Sequence, residues 1–263
     1  MKKYLFIMKT TFIDSLQYIS SLLFKFVGFS IMMYVLASLW RFIYSDGTNI
    51  INGYTFNKMI WYLLLAELVT FSCDSEVSAN EVKNNIKSGN IAYQVNKPYN
   101  YITYIISRFI ATSFLRFIFF FIIVVSLGLI FAGRIEGFNY LSLLAGIPVY
   151  FLAILILGLI KLLINLTAFW VEDSKPFQHV YNKIVLIFGV LFPLEMFPKV
   201  VGTIIRYSPI YGSSYGPAKM ILDFDLNIFG NVLLSQIITV IIILIIIKIV
   251  YGRGVKKLNV NGG

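Results

Sequence analysis

Glu67, Arg116 and Lys161 stand inside long apolar runs, and Lys25 lies near the inner end of another. A charge at membrane depth is expensive unless it is paired or faces a polar cavity. Glu67 and Arg116 each lie about ten residues into their apolar segments, at comparable depth. They are expected to form a pair facing the interior of a helical bundle, either fixing helix packing or serving a proton or substrate path. Lys161 lies closer to the end of its run and can snorkel toward water. Little else on the chain could do chemistry. His179 is the lone histidine and falls in a polar loop; Cys73 is the lone cysteine. One of each leaves no material for an internal disulfide, a multi-cysteine metal site or a Cys–His nucleophile. There is no glycine-rich phosphate loop, no HExxH helix and no GxSxG elbow. The sequence therefore nominates no catalytic residue, no metal site and no cofactor held by this chain.

The elements that position these charges follow from composition. The chain has 263 residues, 59% hydrophobic and 13% charged, where soluble domains carry about 25% charged residues. This predicts an all-α, polytopic membrane protein. Its net charge of +10 comes from basic residues that flank apolar runs, which suits lipid headgroups and membrane orientation, not nucleic acid. Six spans are expected, over about 20–43, 57–73, 104–132, 140–170, 180–194 and 228–250, in a single transmembrane domain covering 1–263. Trp40, Trp61 and Trp170 at span ends fit an aromatic belt. Residues 2–17 read as an amphipathic helix in the headgroup plane or as the start of the first span. No cleavable signal is expected. Basic residues concentrate on the side holding both termini, which predicts a cytoplasmic N-terminus and C-terminus. After the fifth span, 195–217 is too rich in proline and glycine for one helix and too apolar for a solvated loop. It reads as short half-helices dipping into the outer face, where irregular backbone must be surrounded by protein or water.

The most polar run, 78–98, lies between the second and third spans and so on the cytoplasmic side. It predicts a short helix over 78–88. Ser78 would cap it, with Glu81 three residues on completing a capping box. Ala79, Val82 and Ile86 share one face, and Gly89 supplies a left-handed stop. Such a helix either joins two spans or docks a soluble partner.

The stretches at 81–109 (EVKNNIKSGNIAYQVNKPYNYITYIISRF), 168–173 (AFWVED) and 191–223 (LFPLEMFPKVVGTIIRYSPIYGSSYGPAKMILD) resemble, in order and spacing, the smaller six-span permease subunits of type-2 ABC exporters. The likeness covers nearly the whole chain. It implies that the helix at 78–88 couples to a separate ATPase subunit, which would hold the ATP and magnesium. Ser78, Ala79, Glu81, Val82, Lys83, Ile86, Lys87 and Gly89 would form that coupling helix, with Ala79, Val82 and Ile86 as its buried face and Glu81, Lys83 and Lys87 as its rim. It also implies an extracellular gate from the short outer helices, with Pro193, Glu195, Pro198, Pro209, Tyr215 and Pro217. A second permease, identical or homologous, would complete the path. The expectation is an exporter subunit in the cell membrane, itself not an enzyme, moving a hydrophobic or amphipathic compound such as a drug, an antimicrobial peptide or a lipid-like molecule. The alternatives are an ion-coupled transporter or channel built on Glu67 and Arg116, and a membrane-embedded lipid-modifying enzyme.

Overall fold

The structure is a computed structural model. It describes residues 2–17, 19–45, 50–73, 75–171 and 173–261, and of these the side chains of all but 19, 75–79 and 258–261. Among the described residues the fold is all-helical, without strands. In order it comprises α1 (Lys2–Leu16), α2 (Ile19–Ile43), α3 (Phe56–Ser72), α4 (Ser75–Lys87), α5 (Ile91–Val95), α6 (Tyr101–Ala132) and α7 (Leu141–Leu166). There follow α8 (Lys175–Val185), α9 (Lys199–Arg206), α10 (Gly216–Leu222) and α11 (Leu226–Asn261).

Four helices among the described residues are long and apolar enough to cross a membrane: Ser20–Ile43, Tyr101–Ala132, Leu141–Phe169 and Leu226–Lys257. Two of the six expected spans are shorter. Helix α3 has 17 residues and reaches about 26 Å. The expected fifth span begins earlier than its apolar run, at Lys175, and its second half, Leu186–Leu191, winds as a π-helix that stops before Pro193. The residue before a proline is pushed to extended backbone, and Phe192 sits at φ −130°, ψ 126°.

Helix α3 is the centre. Its sequence is apolar on nearly every face, and it is buried on every face, from Met59 and Ile60 through Val69, as an all-round hydrophobic helix must be. It packs chiefly on α6, while α7 packs on α11. Glycines permit these close approaches. A Cβ on Gly128 of α6 would stand 2.3 Å from the Trp61 ring, and one on Gly158 of α7 would stand 2.2 Å from the Phe109 ring. Trp61 and Trp40 are thus core residues, each 4% exposed, and not members of an aromatic belt. Buried deep, the Trp61 indole needs a partner, and its Nε1 donates to the Gly133 carbonyl at 3.0 Å. Rings on α2, α3 and α6 lock the outer helix on: Phe29 meets Phe71 and Phe120 at 4.7 and 5.8 Å between centroids.

Helix α1 runs beside the first half of α6 in the same direction. The Lys3 ammonium donates to the Pro98 carbonyl at 2.6 Å, the Tyr4 hydroxyl accepts from the Asn100 backbone N–H at 3.0 Å, and Phe12 meets Phe114.

Gly158→Ala is expected to lower the melting temperature of the purified protein, at a cost of about 1–3 kcal/mol for overpacking. Gly230→Ala, where nothing lies within 4 Å of the new methyl, should leave it unchanged or raise it. Thermal unfolding in mild detergent reads both.

Candidate functional site

At the end of the bundle where α3 begins, four charges and two tyrosines close a network. An Asn52-Gly53 turn, both residues at positive φ, folds the chain back through paired Ile51–Tyr54 backbone hydrogen bonds of 3.0 Å. This sets Tyr54 at the mouth of α3. The Lys58 ammonium reaches Asp223 at 2.7 Å. Lys219 lies 2.9 Å from Asp223 and 2.7 Å from Glu195. The Glu195 carboxylate also accepts from the hydroxyls of Tyr215 at 2.8 Å and Tyr54 at 3.3 Å. Burial alone would raise the Glu195 carboxyl, but its bond to Lys219 and the Tyr215 hydroxyl hold it below the ordinary value. Asp223 likewise is lowered, burial being outweighed by Lys58 and Lys219. Desolvation would lower Lys219, yet its two carboxylates raise it.

Of the residues expected to form a gate, the network brings Glu195 and Tyr215 together. The prolines shape the backbone around them. Pro193 ends the π-helical stretch, Pro198 caps α9, Pro209 starts a helical run through a second π-helix (Tyr211–Tyr215), and Pro217 opens α10. Tyr54, Lys58, Lys219 and Asp223 were not legible as a set, because Tyr54 and Lys58 lie far upstream of the other two and no local spacing joins them.

Two buried side chains hold the irregular backbone. The Tyr62 hydroxyl donates to the Gly189 carbonyl at 2.8 Å. Gln236 Nε2 donates to the carbonyls of Val149 at 2.9 Å and Gly212 at 2.8 Å. Gln236 is fully buried in a helix that is otherwise mainly Ile, Val and Leu, with Ser235 and Thr239 nearby. That isolated amide was the one readable signal.

At the other end of α3, a cavity of about 450 Å³ takes Glu67 and Arg116 as lining residues, with Lys25, Lys161, His179 and Lys183. The two residues expected to pair therefore share a chamber. Lys161 lines the same chamber.

Below this cavity lies α4. It starts at Ser75, three residues before the expected cap, so Ser78 stands within the helix; the side chains of Ser78 and Ala79 lie outside the described residues. Gly89 adopts φ +75°, the left-handed conformation that stops a helix. Val82 and Ile86 are buried, at 0% and 6% exposure, in one cluster with Tyr101 and Ile105 of α6 and Leu159 and Leu162 of α7. The apolar face expected to meet a partner is thus filled by the chain itself. Glu81 and Lys83, expected on a partner-facing rim, also turn inward: Glu81 pairs with Arg108, and Lys83 with Asp173 at 2.7 Å. The Lys83 ammonium, aided by the Lys175 backbone N–H, pulls the Asp173 carboxyl down to about 2. Asn85 donates to the Tyr101 hydroxyl at 2.9 Å. The exposed face carries Asn80, Asn84 and Lys87, and Tyr93 of α5 projects beside it, 70% exposed.

Lys219→Ala is expected to destabilise the protein by about 1–2 kcal/mol at neutral pH, since these groups are partly solvated. The carboxyls' contribution is present above the ordinary carboxylate range and is lost as pH falls through their lowered values; that of Lys219 is lost only as pH rises through its raised value. The variant should therefore lose less stability on acidification than the parent. Melting temperatures across acid and neutral pH check this, and an unchanged neutral value contradicts the network.

Against known proteins, the model of a family described as ABC-2 family transporter protein matches residues 29–262. No curated protein matches the chain.

Proposed function

As a member of the ABC-2 transporter family, the chain is a membrane permease subunit of an ABC transporter, and we propose that it exports a hydrophobic or amphipathic compound using ATP hydrolysed on a separate ATPase subunit. In this reading the six spans are α2, α3, α6, α7, the α8–π unit and α11. Both termini face the cytoplasm, and a second permease, identical or homologous, completes the path through the cell membrane.

The observation that carries the reading is the anchoring of α4. A coupling element must be rigidly attached to what it moves. Helix α4 is fixed to α6 through Glu81–Arg108 and Asn85–Tyr101, to the segment after α7 through Lys83–Asp173, and to both by its apolar face. A push on its exposed side is passed to two long helices without first collapsing the contact. The ATPase then grips Asn80, Asn84 and Lys87 with Tyr93, while Val82 and Ile86 transmit the force inward.

The network at the opposite end suits a gate. Its side chains are 20–33% exposed, and ion pairs in such surroundings are worth about 1 kcal/mol or less each. They latch the short helices to the mouth of α3 and still release within the energy of one ATP-driven cycle. Pro193 and Pro198 bracket the Leu194–Met196 turn that carries Glu195, so this carboxylate rides on a segment that can shift without unwinding a long helix.

Introducing negative charge on the exposed face, Asn84→Glu with Lys87→Glu, is expected to abolish ATPase co-purification and ATP-driven efflux. Folding stability should change by no more than about 0.5 kcal/mol, as for other surface positions. Retention of the ATPase and of transport by this variant would sink the coupling assignment.

A further inference from the structure

The cavity at the α4 end of the bundle has a charge balance that neither coupling nor gating uses. Lys25 of α2, Arg116 of α6, Lys161 of α7 and Lys183 of α8 line it, against the single carboxylate of Glu67. Lys161 is only 9% exposed. Among the described residues, neither it nor Lys25 nor Lys183 takes part in the ion pairs within 4 Å. Glu67, 3% exposed and with no hydrogen-bond partner at its Oε2, can offset only one of these charges. Of these cations Lys161 is the buried one, Lys25 and Arg116 being half-buried and Lys183 exposed, and a buried cation is costly unless a counter-charge meets it. A cationic ligand would meet net repulsion here, whereas an anion would neutralise the chamber.

Depth adds to the argument. Lys161 is five residues from the end of α7, Glu67 five from the end of α3, and Lys25 six from the start of α2. At 1.5 Å per residue each lies about 8–9 Å inside its helix end, near the boundary between headgroups and acyl chains. Met32, Leu157 and Val190 supply apolar wall to the same cavity. A second, more polar space of about 680 Å³ between α1, α2 and α6 shares Arg116 with it and is lined by Thr10, Thr11 and Ser15, with one carboxylate, Asp14, and a further cation, Arg108. An anionic head thus has a polar approach from the α1 side, and an apolar tail has wall to lie against.

We infer that this cavity holds the anionic head, phosphate or carboxylate, of an amphiphile. The ligand's source is either a phospholipid of the adjoining leaflet or an anionic compound from the cytosol. The inference rests on the permease reading for its membrane depth, and it is tested without reference to transport.

The test uses the permease purified with its ATPase in a neutral maltoside detergent, with melting temperature followed against dodecyl phosphate, dodecyltrimethylammonium and inorganic phosphate. Dodecyl phosphate should stabilise the complex and the ammonium amphiphile should not. Lys161→Ala should weaken the phosphate response about tenfold, the size of one lost charge-assisted hydrogen bond, and Lys161→Arg should keep it. If Lys161→Ala does not fold, Lys25→Gln with Lys183→Gln replaces it, with the same expectation. Retention of phosphatidylglycerol over phosphatidylcholine from mixed nanodiscs, lost in the variant, assigns the head to a leaflet lipid. Competition by inorganic phosphate without lipid selectivity assigns it to a cytosolic anion. Equal responses to both amphiphile charges, or responses unchanged in the variants, overturn the inference. A complex that retains its ATPase but shows no charge preference rejects this inference alone, whereas loss of the ATPase from the unmodified chain bears on the permease reading.

Discussion

In hydrocarbon a backbone carbonyl without a partner finds no water, so irregular backbone survives only where protein or a water-filled cavity surrounds it. Two π-helical stretches, Leu186–Leu191 and Tyr211–Tyr215, put that constraint at the centre of this fold. Tyr62 meets the first at Gly189 and Gln236 meets the second at Gly212, each from a neighbouring long helix. Small residues let the two stretches touch: a Cβ on Gly189 would stand 2.8 Å from the Ser214 Cβ. The result is a pair of widened, closely packed turns, clasped between α3 and α11, from which the short helices α9 and α10 are hung.

Helix α3 connects the three regions of interest. Its first turn carries Lys58 into the ion-pair network, its middle supplies Tyr62, and its last third places Glu67 in the cationic cavity. It is also more enclosed than α2, α6, α7 or α11, so displacements of α6 or α7 bear directly on it. A rigid, buried rod between two polar ends is a direct way to link events on opposite sides of a membrane.

Much of this was readable from the chain. Long apolar runs marked the helices and their order because little else can bury so many apolar side chains, and the proline spacing marked the broken region before α11. The periodicity of α4 put Val82 and Ile86 on one face. Periodicity says that a face is buried and not by what, and here α6 and α7 bury it. Trp61 illustrates the same limit: at a span end it looked interfacial, while Gly128 opposite makes it a core residue. Local spacing joins only Lys219 to Asp223, four residues apart; Lys58 and Glu195 complete the network only when α3 and the Leu194–Met196 turn are packed against α10. Around Glu67, Arg116 and Lys161 were readable in the sequence by depth alone, while the arrival of Lys25 and Lys183 from two further helices showed only in the packed bundle.

The most direct test of the central claim is purification of the tagged chain from its native membrane in mild detergent, with partners identified by mass spectrometry. The account predicts a P-loop ATPase in stoichiometric amount, together with a second copy of this chain or a homologous six-span protein. Recovery of the chain without any ATPase, in vesicles that transport without ATP, would contradict it and return attention to Glu67 and Arg116 as an ion path.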